Sequence, residues 1–207
     1  SVIHNPVVDA SLMEASTAPL DHPWASDHSL PILLGVGRLT PQKDFATLLR
    51  AFAQLLKERP ARLVILGEGE CRTELEQLCQ QLQLTDSVYL AGFVSNPYPW
   101  MHRADGFVLS SRWEALPTVL IEALACGCPV TATDCPNGPS EILLQGAHGI
   151  LVPMEDPSAL CTGMRQMLEK EHDPEQCRQR GQSFSFERAA RQYMQLFQRV
   201  AGDCQDS

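Results

Sequence analysis

From Leu30 onward, short runs of apolar residues alternate with longer stretches in which apolar positions recur every three or four residues. Gly, Pro, Asn or Asp separates each from the next. The short runs predict strands and the longer stretches amphipathic helices. Strands are expected at 31–36, 62–66, 88–91, 107–109, 130–132 and 150–152. Helices are expected at 45–58, 71–82, 117–125, 139–144, 157–170 and 186–201, with a short helical turn at 97–103. In the first of these helices Leu48, Leu49, Phe52, Leu55 and Leu56 trace a single buried face. The strands are apolar throughout and do not alternate, which is the pattern of strands covered on both sides. Strand–helix repetition of this kind predicts an α/β fold, a doubly wound Rossmann-like parallel sheet of about six strands with helices on both faces.

Residues 1–29 hold three Pro, several Ser and Asp and no sustained periodicity, so they read as a linker or edge segment. The sheet domain then occupies 30–172, and 173–207 supplies the closing C-terminal helices.

Composition enters mainly by what it excludes. With 44% hydrophobic and 20% charged residues the chain is that of a folded globular protein. Sixteen Lys and Arg against twenty-five Asp and Glu give a net charge of −9, and no basic block is long enough to neutralise a run of phosphates, so no nucleic-acid partner is expected. The longest apolar stretch, Pro117 to Cys126, contains Glu122 and falls short of the roughly 18 residues that a membrane-spanning helix needs. The N-terminus lacks the basic-then-apolar order of a signal peptide.

Eight cysteines, at 71, 79, 126, 128, 135, 161, 177 and 204, are scattered among apolar segments. They read as reduced thiols in a cytoplasmic protein and not as a disulfide framework. Cys126-Gly-Cys128 has the wrong spacing for zinc and the histidines never sit two to a helix face, so no metal is expected.

In a doubly wound sheet the ligand sits outside the carboxyl ends of the strands. The loops there are 37–44, 67–70, 92–98, 110–117 and 133–138. The first reads Gly35-Val-Gly37-Arg38-Leu-Thr-Pro-Gln-Lys43-Asp44, with glycines that admit a ligand to the backbone and two cations ahead of a helix. A diphosphate suits that combination, because a guanidinium fork and an ammonium both bind phosphate oxygens. Thr40 breaks a dinucleotide-binding fingerprint, and Lys43 followed by Asp44 breaks a P-loop. Taken alone, Arg38 and Lys43 read equally well as solvated surface charges.

In the loop 110–117 and its helix, Glu114 stands just before the first turn and Glu122 two turns along in otherwise apolar company. The amides of Leu116, Thr118 and Val119 point back at the same loop and, with the helix dipole, form an anion site. Singly, Glu114 reads as a cap and Glu122 as the polar edge of a buried helix; together, beside a cationic loop, they point to a site.

Glu114-x7-Glu122, set between Ser110-Ser111 and Ala-Leu-Ala-Cys-Gly-Cys-Pro-Val130, resembles the signature of the retaining, nucleotide-sugar-dependent glycosyltransferases of the GT-B fold, family 4, also called glycosyl transferases group 1. Gly35 to Lys43 resembles the family's phosphate loop. Leu66-Gly67-Glu-Gly69 and Leu90 to Val94 resemble its loops around the nucleoside, His148 to Pro153 its final strand, and Val2 to Val7 the stretch joining its two domains. The likeness runs from Val2 to Phe197.

The resemblance implies that the chain is the C-terminal, donor-binding half of a GT-B enzyme, whose absent N-terminal domain carries most of the acceptor site and commonly a catalytic His. The last helix would cross back onto that domain, leaving part of its apolar face exposed here. By the same resemblance Glu122 would hold the ribose hydroxyls. Arg38 and Lys43, with the amides of Leu116, Thr118 and Val119 around the turn at Pro117, would hold the diphosphate and the charge of the departing nucleotide. Glu114 would touch the donor sugar. Gly37 would let the phosphates close on the backbone, and the base would lie against Gly67, Gly69 and Val94.

Where the family often has Gly-Phe-Gly after the first Glu, this chain has Ala115-Leu116-Pro117, a stiffer backbone against the sugar. Asp134 to Glu141 resembles the version in polysaccharide-assembling bacterial members, which implies a glycan or lipid-linked acceptor. No cofactor is implied. The expected location is the cytoplasm, with any contact to the inner face of the membrane made through the absent domain. Three rivals stand beside this reading: a nucleotide-sugar epimerase of the same architecture, a nicotinamide-dependent oxidoreductase that Thr40 disfavours, and a degenerate interaction domain.

Overall fold

The computed structural model describes residues 3–203; Val2 and Cys204 lie outside the described residues. Six strands, β1 (Ile32–Val36), β2 (Arg62–Leu66), β3 (Val88–Gly92), β4 (Gly106–Leu109), β5 (Val130–Thr133) and β6 (Ile150–Val152), form one sheet in the order β3-β2-β1-β4-β5-β6. Every pairing is parallel. The chain winds outward one way through β1, β2 and β3, then returns to the centre and winds the other way from β4. The seam between β1 and β4 is therefore the switch point, where the flanking crossovers part and a crevice opens at the carboxyl ends.

Successive strand residues point to opposite faces, so the apolar runs feed two cores. Ile32, Leu34, Val64, Leu66, Phe107 and Leu109 enter one core; Leu33, Leu63, Ile65 and Val108 enter the other. The first is covered by α5 (Tyr98–Arg103), α6 (Thr118–Ala125), α7 (Pro139–Ile142) and α9 (Pro174–Gln182); the second by α3 (Phe45–Leu55), α4 (Arg72–Gln81) and α8 (Pro157–Glu169). Each fully buried aliphatic side chain contributes on the order of 1.5–3 kcal/mol, which explains why the continuous apolar strands dominate the pattern.

Three local differences from the expected elements have physical causes. Residues up to 29 do more than link. Val8 and Leu12 are buried in the first core, and Val7 and Phe186 exchange backbone hydrogen bonds with Phe184 and Val8. The helix α1 (Ala10–Ser16) is capped by Asp9, whose carboxylate accepts from the Leu12 amide at 3.0 Å. A further turn, α2 (Pro23–Ser26), lies along the β3 edge, where His22 stacks on Tyr89 at 4.5 Å and Arg62 lies over the Trp24 ring. Pro117 caps α6 instead of lying in its first turn. α9 occupies a stretch with no apolar stripe, because only Cys177 and Gly181 face inward.

The last helix, α10 (Phe186–Asp203), stands apart from both cores; Phe186, Tyr193, Met194 and Phe197 are exposed along it, Phe197 by 62%. Among the described residues no helix is long and apolar enough to cross a membrane. The seven described cysteines are all free, and burial pushes the Cys126 thiol up to about 12 and the Cys79 thiol to about 11. At such values they are inert packing residues at neutral pH.

Candidate functional site

The loops after β1, β2 and β3 zip together past the ends of the strands. The Gly37 amide donates to Leu66 O at 3.0 Å, Leu39 to Glu68 O at 2.9 Å, and Gly67 to Gly92 O at 2.8 Å. A Cβ on Gly67, at φ 144, would stand 1.9 Å from Gly37 O, and one on Gly69 2.4 Å from Leu39 O. Two glycines expected to make room for a ligand are thus also required by the contact between the loops themselves. Beyond them Val94 is half-buried and Phe93 is 79% exposed.

Gly37 packs on the stem of Lys43; a Cβ there would meet its methylenes at 3.1–3.3 Å. The stem leads the ammonium across the β1–β4 seam, where Nζ lies 2.6 Å from Glu114 Oε1. Ser111 Oγ donates to the same oxygen at 2.7 Å. The Glu114 side chain is only 6% exposed and that of Lys43 15%. The fold therefore brings together two predicted site residues 71 positions apart in the chain. A pair so withdrawn from water depends on both members, since removing one leaves the other charged and desolvated. Arg38 sits at the rim, exposed, and enters no ion pair among the described residues.

α6 begins beside this pair. Pro117 offers no side-chain cap, so the amides of Thr118 and Val119 at the positive end of the helix dipole have no partner from their cap residue. Glu114 N donates to Pro136 O at 3.3 Å, and Gly138, at φ 113, lies where a Cβ would be 2.4 Å from Pro117 Cδ. The 134–138 loop thus forms one wall of the crevice, and Leu116 is held between it and the core.

Glu122 differs from Glu114. It is half-buried on α6, makes no ion pair among the described residues, and desolvation alone pushes its carboxyl above the ordinary value of 4.5. The Tyr98 phenol of α5 is also pushed up, first by its own burial and then by the Glu122 charge. Ser111, which donates to Glu114, and Tyr98, which feels the Glu122 charge, join the candidate residues without having been picked out in the sequence. Each sits next to a recognisable motif, but nothing in its local pattern sets it apart from a core residue. Among the described residues no three His, Cys, Asp or Glu side chains gather closely enough to hold a metal ion.

A doubly wound parallel sheet with its crevice at this seam defines a Rossmann-like, ligand-binding class of domain. The model of the family described as glycosyl transferases group 1 matches residues 19–184, and the chain belongs to that family. Over 137 residues it is 40% identical to a Campylobacter jejuni N-acetylgalactosaminyltransferase that acts on a diphospho-undecaprenol-linked saccharide, covering 66% of this chain and 37% of that protein. It is 30% identical over 167 residues to the lipopolysaccharide core biosynthesis glycosyltransferase LpsE of Rhizobium meliloti, covering 81% and 47%. Less than half of either relative is spanned. Among solved structures, a variant of Staphylococcus aureus TarM in complex with fondaparinux, alpha-GlcNAc-glycerol and UDP superposes with a TM-score of 0.74 at 20% identity, over 83% of this chain and 36% of that one.

Proposed function

We propose that this chain binds a nucleoside-diphosphate sugar at the β1–β4 seam and, together with the N-terminal domain of a GT-B enzyme, transfers the sugar with retention to a glycan or lipid-linked acceptor. The observation that carries the proposal is the convergence of Lys43, Glu114 and the uncapped start of α6 on the switch point, from segments far apart in sequence.

The division of labour follows from the chemistry of each group. As the bond from the anomeric carbon to the diphosphate breaks, negative charge grows on the departing phosphate. Lys43, Arg38 and the amides of Thr118 and Val119 stabilise it. Glu114 accepts from hydroxyls of the donor sugar while remaining tied to Lys43. Glu122, without an ion-pair partner among the described residues, takes the ribose hydroxyls, and the base lies against Gly67, Gly69 and Val94. Retention requires the acceptor to enter on the face the phosphate vacates, which places a phosphate oxygen within reach of the acceptor's proton. With two cations and a helix terminus present, the domain is expected to need neither metal nor cofactor.

The acceptor class is supported by the Campylobacter and Rhizobium relatives, and UDP by the TarM complex. Work of that kind belongs to the cytoplasm, with contact to the inner membrane face through the N-terminal domain. The test is a calorimetric titration with UDP, GDP, ADP and NAD, with and without magnesium. Saturable, metal-independent binding of one nucleoside diphosphate is expected; binding of NAD alone would point to an oxidoreductase. Silence towards all four, repeated with the complete protein, would leave an interaction domain. Product analysis with the complete protein separates transfer to an acceptor from inversion of a sugar still on its nucleotide.

A further inference from the structure

The three consecutive residues Gln42, Lys43 and Asp44 are each tied separately to the loop after β4. The Arg112 amide donates to Gln42 O at 2.8 Å, and Gln42 Nε2 donates to Trp113 O at 2.9 Å. Ser110 Oγ donates to Lys43 O at 2.7 Å. Arg112 Nε donates to Asp44 Oδ2 at 3.1 Å, and Arg112 also reaches Glu155 Oε1 at 3.3 Å. Lys43 is thus clamped on both sides before its own ammonium meets Glu114.

Asp44 is the unusual member. Its side chain is 2% exposed, yet it stands in the left-handed region at φ 46, ψ 47. That conformation is disfavoured for a residue with a Cβ, although aspartate tolerates it better than most. It turns the chain sharply from the loop into α3. The carboxylate holds the turn by accepting from the Thr47 amide at 3.2 Å and the Thr47 hydroxyl at 2.8 Å. A helix cap needs the Thr47 contacts but not Arg112. The bond across the seam fixes the turn relative to β4, and therefore where the preceding side chain stands.

We infer that Asp44 and Arg112 are positioning residues, a clamp across the seam that sets the place of the Lys43 ammonium against Glu114 and the ligand's diphosphate. This rests on the proposed donor site for its consequence in binding, but not for its geometry. Asp44→Asn keeps a cap acceptor and the tolerance for left-handed backbone while setting an amide against the guanidinium. Arg112→Gln loosens the clamp from its other end without touching the cap.

Two readouts on the 207-residue chain test it. Lysine-selective nitrogen NMR without ligand reports the Lys43 ammonium, assigned by its loss in Lys43→Arg. Both clamp variants are expected to remove the slow-exchanging, shifted signal of the Glu114-bound state. Calorimetry with UDP is expected to show a three- to tenfold weaker Kd for each variant. That loss should vanish in a Lys43→Ala background, because the clamp acts only through Lys43. An unaltered Lys43 signal in folded variants overturns the clamp, as does a loss of affinity that persists in full without Lys43. If the wild-type chain binds no nucleotide while the Lys43 signal still moves, the clamp stands and the donor-site reading fails.

Discussion

Glu122 and His22 show how differently burial acts on an acid and a base. Desolvation raises the Glu122 carboxyl, so its charged form is disfavoured in the folded chain. An acid raised on folding contributes stability below its unfolded value, and that stability is lost as pH rises through the folded one. Glu122→Gln is therefore expected to raise the melting temperature at pH 7, with no gain below pH 4.5, while weakening UDP binding by at least about 1 kcal/mol, or roughly fivefold. Calorimetric melts across pH together with a titration check both halves.

His22 is lowered, by desolvation first and then by the Arg62 charge, and its Nδ1 accepts from the Trp24 amide at 3.1 Å. A base lowered on folding contributes stability above its unfolded value of 6.5, and this is lost as pH falls through the folded one. Urea midpoints are expected to fall from pH 7 to pH 5 in the wild type and to fall less in His22→Asn, which keeps a cap acceptor. At this scale the sequence was partly legible. Arg38, Lys43, Glu114 and Glu122 stand out as candidates because charges beside glycines and inside apolar helices have few uses. Ser111 and Asp44 stayed hidden, since their work depends on partners brought close only by the sheet.

Among the helices packed into the domain, legibility followed the apolar face each buries. α3 shows seven buried residues in its eleven, whereas α9 shows two in nine and α1 two in seven. No periodicity could mark the latter, and their placement rests on caps and close backbone contact. Gly181 makes this concrete. A Cβ there would lie 2.4 Å from the Ala125 amide of α6. Gly→Ala inside a helix ordinarily stabilises by up to about 1 kcal/mol, but an overlap with backbone costs more, typically about 1–3 kcal/mol. Gly181→Ala is therefore expected to destabilise the fold by about 1–2 kcal/mol in urea unfolding. A stabilised variant would show that α9 can shift away from α6.

For the molecule as a whole, the parallel order was readable because strands buried on both faces have nowhere to place polar side chains. The two-way winding could be expected from the class of fold, but the pairing of Leu34 with Phe107 could not, since nothing local encodes it. α10 is the counterpart: its amphipathic pattern was plain, yet it stands apart from both cores. Phe197→Glu is expected to leave the unfolding free energy within about 0.5 kcal/mol while reducing self-association in sedimentation.

The pairing of β1 with β4 also orders events in time. β1, β2 and β3 are neighbours in space drawn from one contiguous stretch, but β1 meets β4 only after the whole of that stretch has been bridged, from Leu33 to Gly106. Closing so long a loop is slow, and on a ribosome it waits until β4, about halfway along the chain, has emerged. The crevice thus forms only when the two halves of the sheet join across the seam, and not while β1, β2 and β3 stand alone. If the proposed nucleotide binds there, its occupancy reports that this joining is complete.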